Sequence, residues 1–344
     1  MNGQARVEAK DDSGEEPLVS FIILTFNQVA YIEEAVEGAL AQQYGNLEII
    51  VSDDGSTDGT WELLQRLAER HRQLRINQSS ENLGTLGNLY AATRLANGVF
   101  YVMAAGDDVS YPHRVSTCVA KWLDEQAFVI QSSYDIINEQ SIVIQSAYIF
   151  DTSKHEFQSY FEFRPFIIHG ASSCYDARVF KLIKEPNRKI YYEDSFFTLF
   201  LNFLFLKHCF IDQPLVCYRR NYNSITNNNM LISVQEIKER EEKTQLVVGS
   251  IAILLSVFRD AVVLKLGYSN FIGKTAAVNI SALDRDIAFY QYRGSWTTRT
   301  KLEKIRMILT VRRKRHAAWL LARLFGAQSV SWLRRLRLRT GRSI

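Results

Sequence analysis

The chain has 344 residues, is 47% hydrophobic and 12% aromatic, and carries a formal net charge of +4. That is enough apolar chain for a large core and an appendage, and it excludes a protein dominated by disorder. Four cysteines, Cys118, Cys174, Cys209 and Cys217, show no CxxC and no paired spacing, which excludes a disulfide frame or a cysteine zinc site and fits a reducing, cytoplasmic compartment.

Residues 1–16 read as a polar, acidic tail without the apolar stretch of a signal peptide. Pro17 to Thr25 predicts a strand and Tyr31 to Gln42 a helix. Leu47 to Ser52 is the second strand, followed by a helix over Thr60 to Arg70 with Asp58 as its N-cap. Leu74 to Gln78 is a short strand. Asn82-Leu83-Gly84 turns into a helix that stops near Asn97-Gly98, and Val99 to Met103 is the next strand. Pro112 suits the first turn of a helix running to about Glu125. Strands and helices alternating at this spacing predict an α/β fold with a doubly wound, mostly parallel sheet. After Ala127 the segments become shorter and more aromatic, Phe196 to Leu206 reads as core, and beyond about Ile232 the pattern is helical nearly to the end. The charge-free run between Lys243 and Arg259 falls short of the ~20 residues a spanning helix needs, so it reads as a buried helix.

The charge is unevenly placed. From Arg299 onward there are 14 Lys and Arg against one acid, Glu303, which leaves 27 basic and 36 acidic residues in the rest. Trp319, Leu320, Phe325, Trp332 and Leu333 interleave with these cations. Such a pattern predicts a helix lying on an anionic membrane surface, or else a solvated helix docked on the body. No nucleic-acid-binding motif accompanies the charge, so nucleic acid is not an expected partner.

Two acidic clusters carry the chemistry. Leu47 to Ser52 leads into Asp53-Asp54, and Val99 to Met103 leads into Asp107-Asp108. Each stands just past the carboxyl end of a predicted strand, where open α/β sheets bind ligands. Adjacent carboxylates there are costly without a cation, so a divalent metal with a phosphorylated ligand is the expected occupant.

The order of motifs extends this. Thr25-Phe26-Asn27, Asp53-Asp54-Gly55-Ser56-Thr57-Asp58-Gly59-Thr60, Asn82-x-Gly84, Gly106-Asp107-Asp108 with Tyr111-Pro112 after it, His169-Gly170-Ala171-Ser172, Glu193-Asp194 and Tyr218-Arg219 follow one another. Over Pro17 to Thr226 the chain resembles the family 2 glycosyltransferases of GT-A fold. The resemblance implies an inverting enzyme that moves a sugar from a nucleotide-sugar donor to a hydroxyl acceptor on a glycan or lipid-linked carrier, in polysaccharide or glycolipid synthesis. It implies Mn or Mg held by Asp108, with Asp107 toward the ribose or the metal. It places Asp54 at the base of the donor, where a carboxylate accepts from the ring N–H of uracil or thymine, which favours a UDP- or dTDP-sugar. Thr25 and Phe26 would contact the nucleotide through backbone and ring, although Phe26 is equally read as core. Asp53 would tie its turn. Asp194 would be the general base, with Glu193 orienting it or touching the acceptor; an N-cap role is the simpler reading of Asp194. Arg219 and Arg220 would reach the diphosphate, and His169 lies in a loop beside the acceptor.

Two positions depart from the family. Ala105 stands where a further Asp is usual, and Asn221 where a His often follows the arginine. They motivate the alternative of a catalytically inactive relative acting as a scaffold, against which the retained acids argue. A nucleotidyltransferase is excluded, because Thr25-Phe26-Asn27-Gln28 is not a Gly-rich phosphate loop. The expected organisation is a polar tail (1–16), a GT-A domain (17–230) and a helical, basic extension (231–344). The expected location is cytoplasmic, peripheral on the inner face of the membrane through the basic tail.

Overall fold

The computed structural model describes residues 16–149, 159–163, 165–220, 251–263 and 278–294. The chain divides into two compact units: Met1–Leu231 with Val257–Asn279, and Ile232–Ser256 with Ile280–Ile344.

In the first unit, β1 (Val19–Thr25) lies between β2 (Leu47–Asp53) and β4 (Phe100–Ala105), parallel to both, and β3 (Leu74–Gln78) extends the sheet in parallel from β2. Parallel strands covered on both faces read as continuous apolar runs, and Phe21, Ile22 and Ile23 are accordingly all buried. Helices α1 (Ile32–Leu40), α2 (Thr60–Arg70), α3 (Gly84–Thr93) and α4 (Arg114–Glu125) alternate with the strands. The core gathers Phe21, Ile23, Val36, Val51, Leu64, Val102, Val115 and Trp122.

Some boundaries shift for local reasons. Helix α3 ends at Thr93, short of Asn97-Gly98, because the Glu48 carboxylate collects the N–H groups of Asn97 (2.5 Å) and Gly98 (3.1 Å) and holds that stretch as a loop. Helix α4 begins at Arg114, past Pro112, and Gln42 serves it from outside by accepting from Val115 N–H at 3.0 Å. On α2 the cap position belongs to Gly59. Asp58, one residue earlier, still accepts from Thr60 N–H at 3.0 Å and from Val29 N–H at 3.0 Å, so it ties the β1–α1 loop to the α2 start.

Past Ala127 the sheet becomes mixed. Its order is β3-β2-β1-β4-β8-β6-β9-β5, with β7 on β6. Strand β8 (Ser173–Asp176) runs antiparallel between β4 and β6 (Val129–Ile137). Strand β9 (His208–Arg219) is parallel to β6 and antiparallel to β5 (Val109–Ser110), while β7 (Val143–Tyr148) forms a hairpin edge on β6. The sheet is thus α/β in kind, with its parallel half first and antiparallel strands inserted afterwards. Between β8 and β9 come the short α5 (Arg178–Leu182) and α6 (Glu193–Phe203). The run read as core is core: Phe196, Phe197, Phe200 and Phe203 are buried, and Phe258 packs edge-on to Phe200 at 5.4 Å and Phe203 at 5.9 Å. Phe205 is the exception, at 55% exposed.

In the second unit a helix at Ile280–Gly294 buries Ala282, Leu283, Ile287, Phe289 and Tyr290. No helix among the described residues is long and apolar enough to cross a membrane. The basic stretch from Arg299 onward and Asn221 lie outside the described residues. All four cysteines are free, Cys118 and Cys174 being buried.

Candidate active site

Strands β1, β2 and β4 run parallel and in register, so their carboxyl ends deliver three loops to one edge of the sheet. At the end of β1, Thr25 is buried; its Oγ1 donates to Gln28 Oε1 at 2.9 Å and its carbonyl accepts Asp54 N–H at 2.9 Å. Phe26 is 44% exposed, so it is not a core residue and presents its ring outward. Asn27 laces this loop to the next, donating its N–H to Ser56 Oγ and accepting Thr57 N–H on Oδ1, both at 2.8 Å.

At the end of β2, Asp53 ties its own turn as expected, accepting from Ser56 N–H at 3.2 Å and Gln78 Nε2 at 2.9 Å. Asp54 is 4% exposed and takes Leu83 N–H at 2.7 Å and Gly84 N–H at 2.9 Å, the loop that opens α3. Burial raises its carboxyl, while those two N–H groups and Lys189 offset part of the rise. Ile190 O accepts Leu86 N–H, which brings the 189–194 segment to this loop.

After β4 comes the acidic pair. Gly106 is needed there for close approach, since a Cβ would stand 2.5 Å from Gln28 Oε1 and 2.7 Å from Thr25 Oγ1. Asp107 is half-buried and Asp108 is 2% exposed. Burial raises the Asp107 carboxyl, with Arg219 and a hydrogen bond from Gln28 pulling the other way. Burial, and then the Asp107 charge beside it, push Asp108 well above the usual carboxylate range. Asp108 Oδ1 accepts Arg219 N–H at 2.8 Å; Oδ2 is buried with no hydrogen-bond partner.

That orphaned oxygen, next to a second carboxylate at the mouth of a sheet, suits a hard divalent cation, which is bound through one or two carboxylates and completes its sphere with phosphate and water. Among the described residues no group of three or more His, Cys, Asp and Glu side chains comes together, in keeping with Ala105 in place of a third acid.

Arg219 is placed otherwise than expected. Its side chain is fully buried, with Nε donating to Asp107 O (2.7 Å), Nη1 to Asn138 O (2.9 Å) and Ser141 Oγ (3.0 Å), and Nη2 to Glu34 Oε2 (2.5 Å). Its guanidinium also lies 4.6 Å from the centre of the Tyr31 ring. These donors are spent inside the protein, so the residue fixes the acidic pair and does not present a diphosphate clamp. Arg220, next to it, is exposed.

Glu193 and Asp194 form the first turn of α6, where the helix N-terminus favours negative charge. Neither is the cap: Tyr192 holds that position without a side-chain bond. Asp194 Oδ1 accepts Ser195 N–H at 2.5 Å. Burial raises Asp194; burial and then the Asp194 charge push Glu193 up to about 8. The Glu193 carboxylate lies against the backbone of Gly170, where any Cβ would collide with Oε1. The adjacent His169 ring stacks on Tyr134 at 4.4 Å and stands edge-on to Tyr218 at 5.2 Å. Burial, and then Arg220, hold its imidazole down at about 4, hence neutral at physiological pH. The loop carrying His169 thus joins the Tyr134–Tyr218 ring cluster to the Glu193 carboxylate.

Sequence reasoning missed Arg114, which is wholly buried and donates to Met103 O (2.7 Å), Ala171 O (3.0 Å) and Ser110 Oγ (2.9 Å), and whose charge stabilises ionised Asp108. The signal was present: Arg114 falls on the same helical face as Val115, Cys118, Val119 and Trp122, all buried. Gln28 and Lys189 were also missed, and isolated polar residues in loops carry no periodic signal.

Residues 20–185 match the family model described as glycosyl transferase family 2. An uncharacterized glycosyltransferase of Rickettsia typhi is 27% identical over 227 residues, covering 64% of this chain and 69% of that protein. A UDP-Glc:alpha-D-GlcNAc-diphosphoundecaprenol beta-1,3-glucosyltransferase of Escherichia coli is 31% identical over 119 residues, 35% of this chain and 47% of that protein. Among solved structures, S. aureus TarS 1-349 in complex with UDP-GlcNAc aligns with a TM-score of 0.50 and 16% identity over 92% of this chain and 83% of that one, a likeness of fold.

Proposed function

Given that the chain carries a family 2 glycosyltransferase domain of GT-A fold, we propose that it moves a sugar from a UDP- or dTDP-sugar to a hydroxyl acceptor with inversion at the anomeric carbon. The observation that carries this reading is the buried, unpartnered Oδ2 of Asp108 beside Asp107. Asp108 and Asp107 would hold Mg²⁺ or Mn²⁺, whose charge supplies neutralisation of the departing diphosphate. Asp54 keeps spare lone pairs after binding Leu83 and Gly84, which supports its role toward the ring N–H of a pyrimidine base. The exposed Phe26 ring, at the end of β1, supports a stacking contact with that base.

On the acceptor side two adjacent carboxyls share the first turn of α6, and burial raises both, with the Asp194 charge raising Glu193 further. Glu193 holds its proton near neutrality and orients its neighbour; Asp194 is the base. The acceptor oxygen bonds to the anomeric carbon, the bond from that carbon to phosphate breaks, the nucleoside diphosphate departs with the electron pair, and the hydroxyl proton passes to Asp194. The E. coli relative named above supports a lipid-linked glycan as acceptor, and the basic stretch beyond Arg299 supports work at an anionic membrane face from the cytoplasmic side.

The test is a thermal-shift panel of nucleotides and nucleotide-sugars with Mn²⁺, since ligands that bind only the native state raise its stability. UDP or dTDP, and their sugars, should stabilise the protein in a metal-dependent way. Asp108→Asn should abolish that dependence with the fold intact. An Asp108→Asn protein that binds UDP and Mn²⁺ like the parent would overturn the assignment.

A further inference from the structure

Lys189 lies on the donor side of the site and has no part in the reading above. Its Nζ donates to Asn82 O, and its side chain packs on Gly84, where an added Cβ would stand 3.3 Å from Lys189 Cε. Asn82 and Gly84 belong to the turn whose Leu83 and Gly84 N–H groups hold the two oxygens of Asp54. The lysine thus sits on the same turn as the carboxylate assigned to the base. The Tyr191 ring, centred 5.1 Å from Nζ, and the bond from Leu86 N–H to Ile190 O at 3.3 Å steady the chain that follows it.

An ammonium carries three donors and no acceptor, and Asn82 O takes one of them. Lys189 is exposed, and among the described residues it makes no ion pair. Burial raises the Asp54 carboxyl, and the Lys189 charge works against that rise, favouring the ionised form that only accepts. The turn therefore offers a bound base an acceptor and a donor together. Uracil presents the complementary edge, a ring N–H with a carbonyl oxygen next to it. Cytosine presents the reverse at both places, a bare ring nitrogen and an amino group.

Resting on the donor reading, we propose that Lys189 is the residue that selects uracil over cytosine in the donor nucleotide. Asp54 takes the ring N–H, and the ammonium donates to the neighbouring carbonyl oxygen and disfavours an amino group in its place. Thymine shares this edge, so dTDP falls on the accepted side. The wrong base sets donor against donor and acceptor against acceptor, leaving polar groups of the site unpaired, which is what makes discrimination of this kind effective.

The test titrates the full chain with UDP, dTDP and CDP, each with Mn²⁺, for the parent, Lys189→Met and Lys189→Arg. UDP and CDP differ only in the base, so any contact to phosphate, ribose or metal cancels in the ratio of their affinities. The parent should prefer UDP and dTDP to CDP. Lys189→Met should cut the preference for UDP over CDP on the order of tenfold, by weakening UDP and sparing CDP, as expected for a lost charge-assisted contact. Lys189→Arg keeps a cation that only donates and should retain most of the preference. Equal weakening of UDP and CDP in Lys189→Met overturns the proposal, because the lysine then serves the phosphates or merely clips the Asn82 turn. A parent that prefers UDP and passes that preference undiminished to Lys189→Met sinks the role of the lysine and leaves the donor reading standing. A parent that binds UDP and CDP equally sinks the assignment of Asp54 to the base, and this proposal with it.

Discussion

Arg219 offers the sharpest test of how the acidic pair is held. Replacing it with Met keeps much of the volume and removes every donor. The buried cation is lost from Glu34, and the carbonyls of Asp107 and Asn138 lose a partner. Breaking a buried ion pair from one side costs about 3–5 kcal/mol. The Glu34 side chain is 40% exposed and regains water, which pulls this case toward the low end. The orphaned carbonyls add about 1–3 kcal/mol each where water cannot reach them. A loss of about 5 kcal/mol is therefore expected, equivalent to a fall in Tm of roughly 10–20 °C for a domain of this size. Urea unfolding gives the free energy directly. In the fraction that stays folded, affinity for UDP with Mn²⁺ should fall, because Asp107 is no longer pinned. Arg219→Lys should recover part of the stability and little of the affinity, since one ammonium cannot span the same acceptors. A loss under about 1 kcal/mol in Arg219→Met, or parental UDP–Mn²⁺ affinity in the folded variant, would refute the positioning role.

Asp194→Asn should retain donor binding and lose transfer by about 10²–10⁴-fold or more, measured by release of UDP with saturating acceptor; a parental rate would remove Asp194 as base. Glu193 holds a proton in the folded chain up to about 8 and in the unfolded chain only to 4.5, so its contribution to stability is full below 4.5 and is lost as pH rises through about 8. Glu193→Gln fixes the neutral form and should flatten that decline, which parallel stability–pH curves for parent and variant would disprove. The full chain should co-sediment with anionic vesicles at low salt and be released by high salt, and a chain ending at Thr298 should not co-sediment, the attraction being worth about 1 kcal/mol per cation near the surface. Equal sedimentation of the two chains would assign the basic stretch to docking on the protein.

The parallel half of the fold was legible because its signals are local. Phe21 to Leu24 is apolar without interruption, Asp58 and Gly59 punctuate the α2 start, and the acidic pairs follow their strands directly. The antiparallel insertion was not legible, since β8 is four residues long and its pairing with β4 spans more than seventy positions of sequence. The candidate site divides in the same way. The acids lie where their motifs put them, but what surrounds them is tertiary. Arg219 looks like a free phosphate ligand beside Arg220 in sequence, and burial reverses the two: the first is spent on Asp107, Asn138 and Glu34, and the second is left exposed. Phe26 gave no sequence cue between core and surface, because an aromatic ring at a strand end serves either; only its exposure decides.

The hydrogen bond from Arg219 N–H to Asp108 joins residues 111 positions apart. Contacts of such separation form late, after the loop-closure entropy between them has been met. On the ribosome, residues 20–185, the part recognisable as a family 2 domain, emerge before α6 and β9 exist. A nascent chain, or a fragment cut at the end of that recognisable stretch, would carry the nucleotide-side motifs with the acidic pair unpinned and the proposed base missing. Among the described residues β9 is the last strand to be synthesised, and it is the strand that brings Arg219 to the acidic pair.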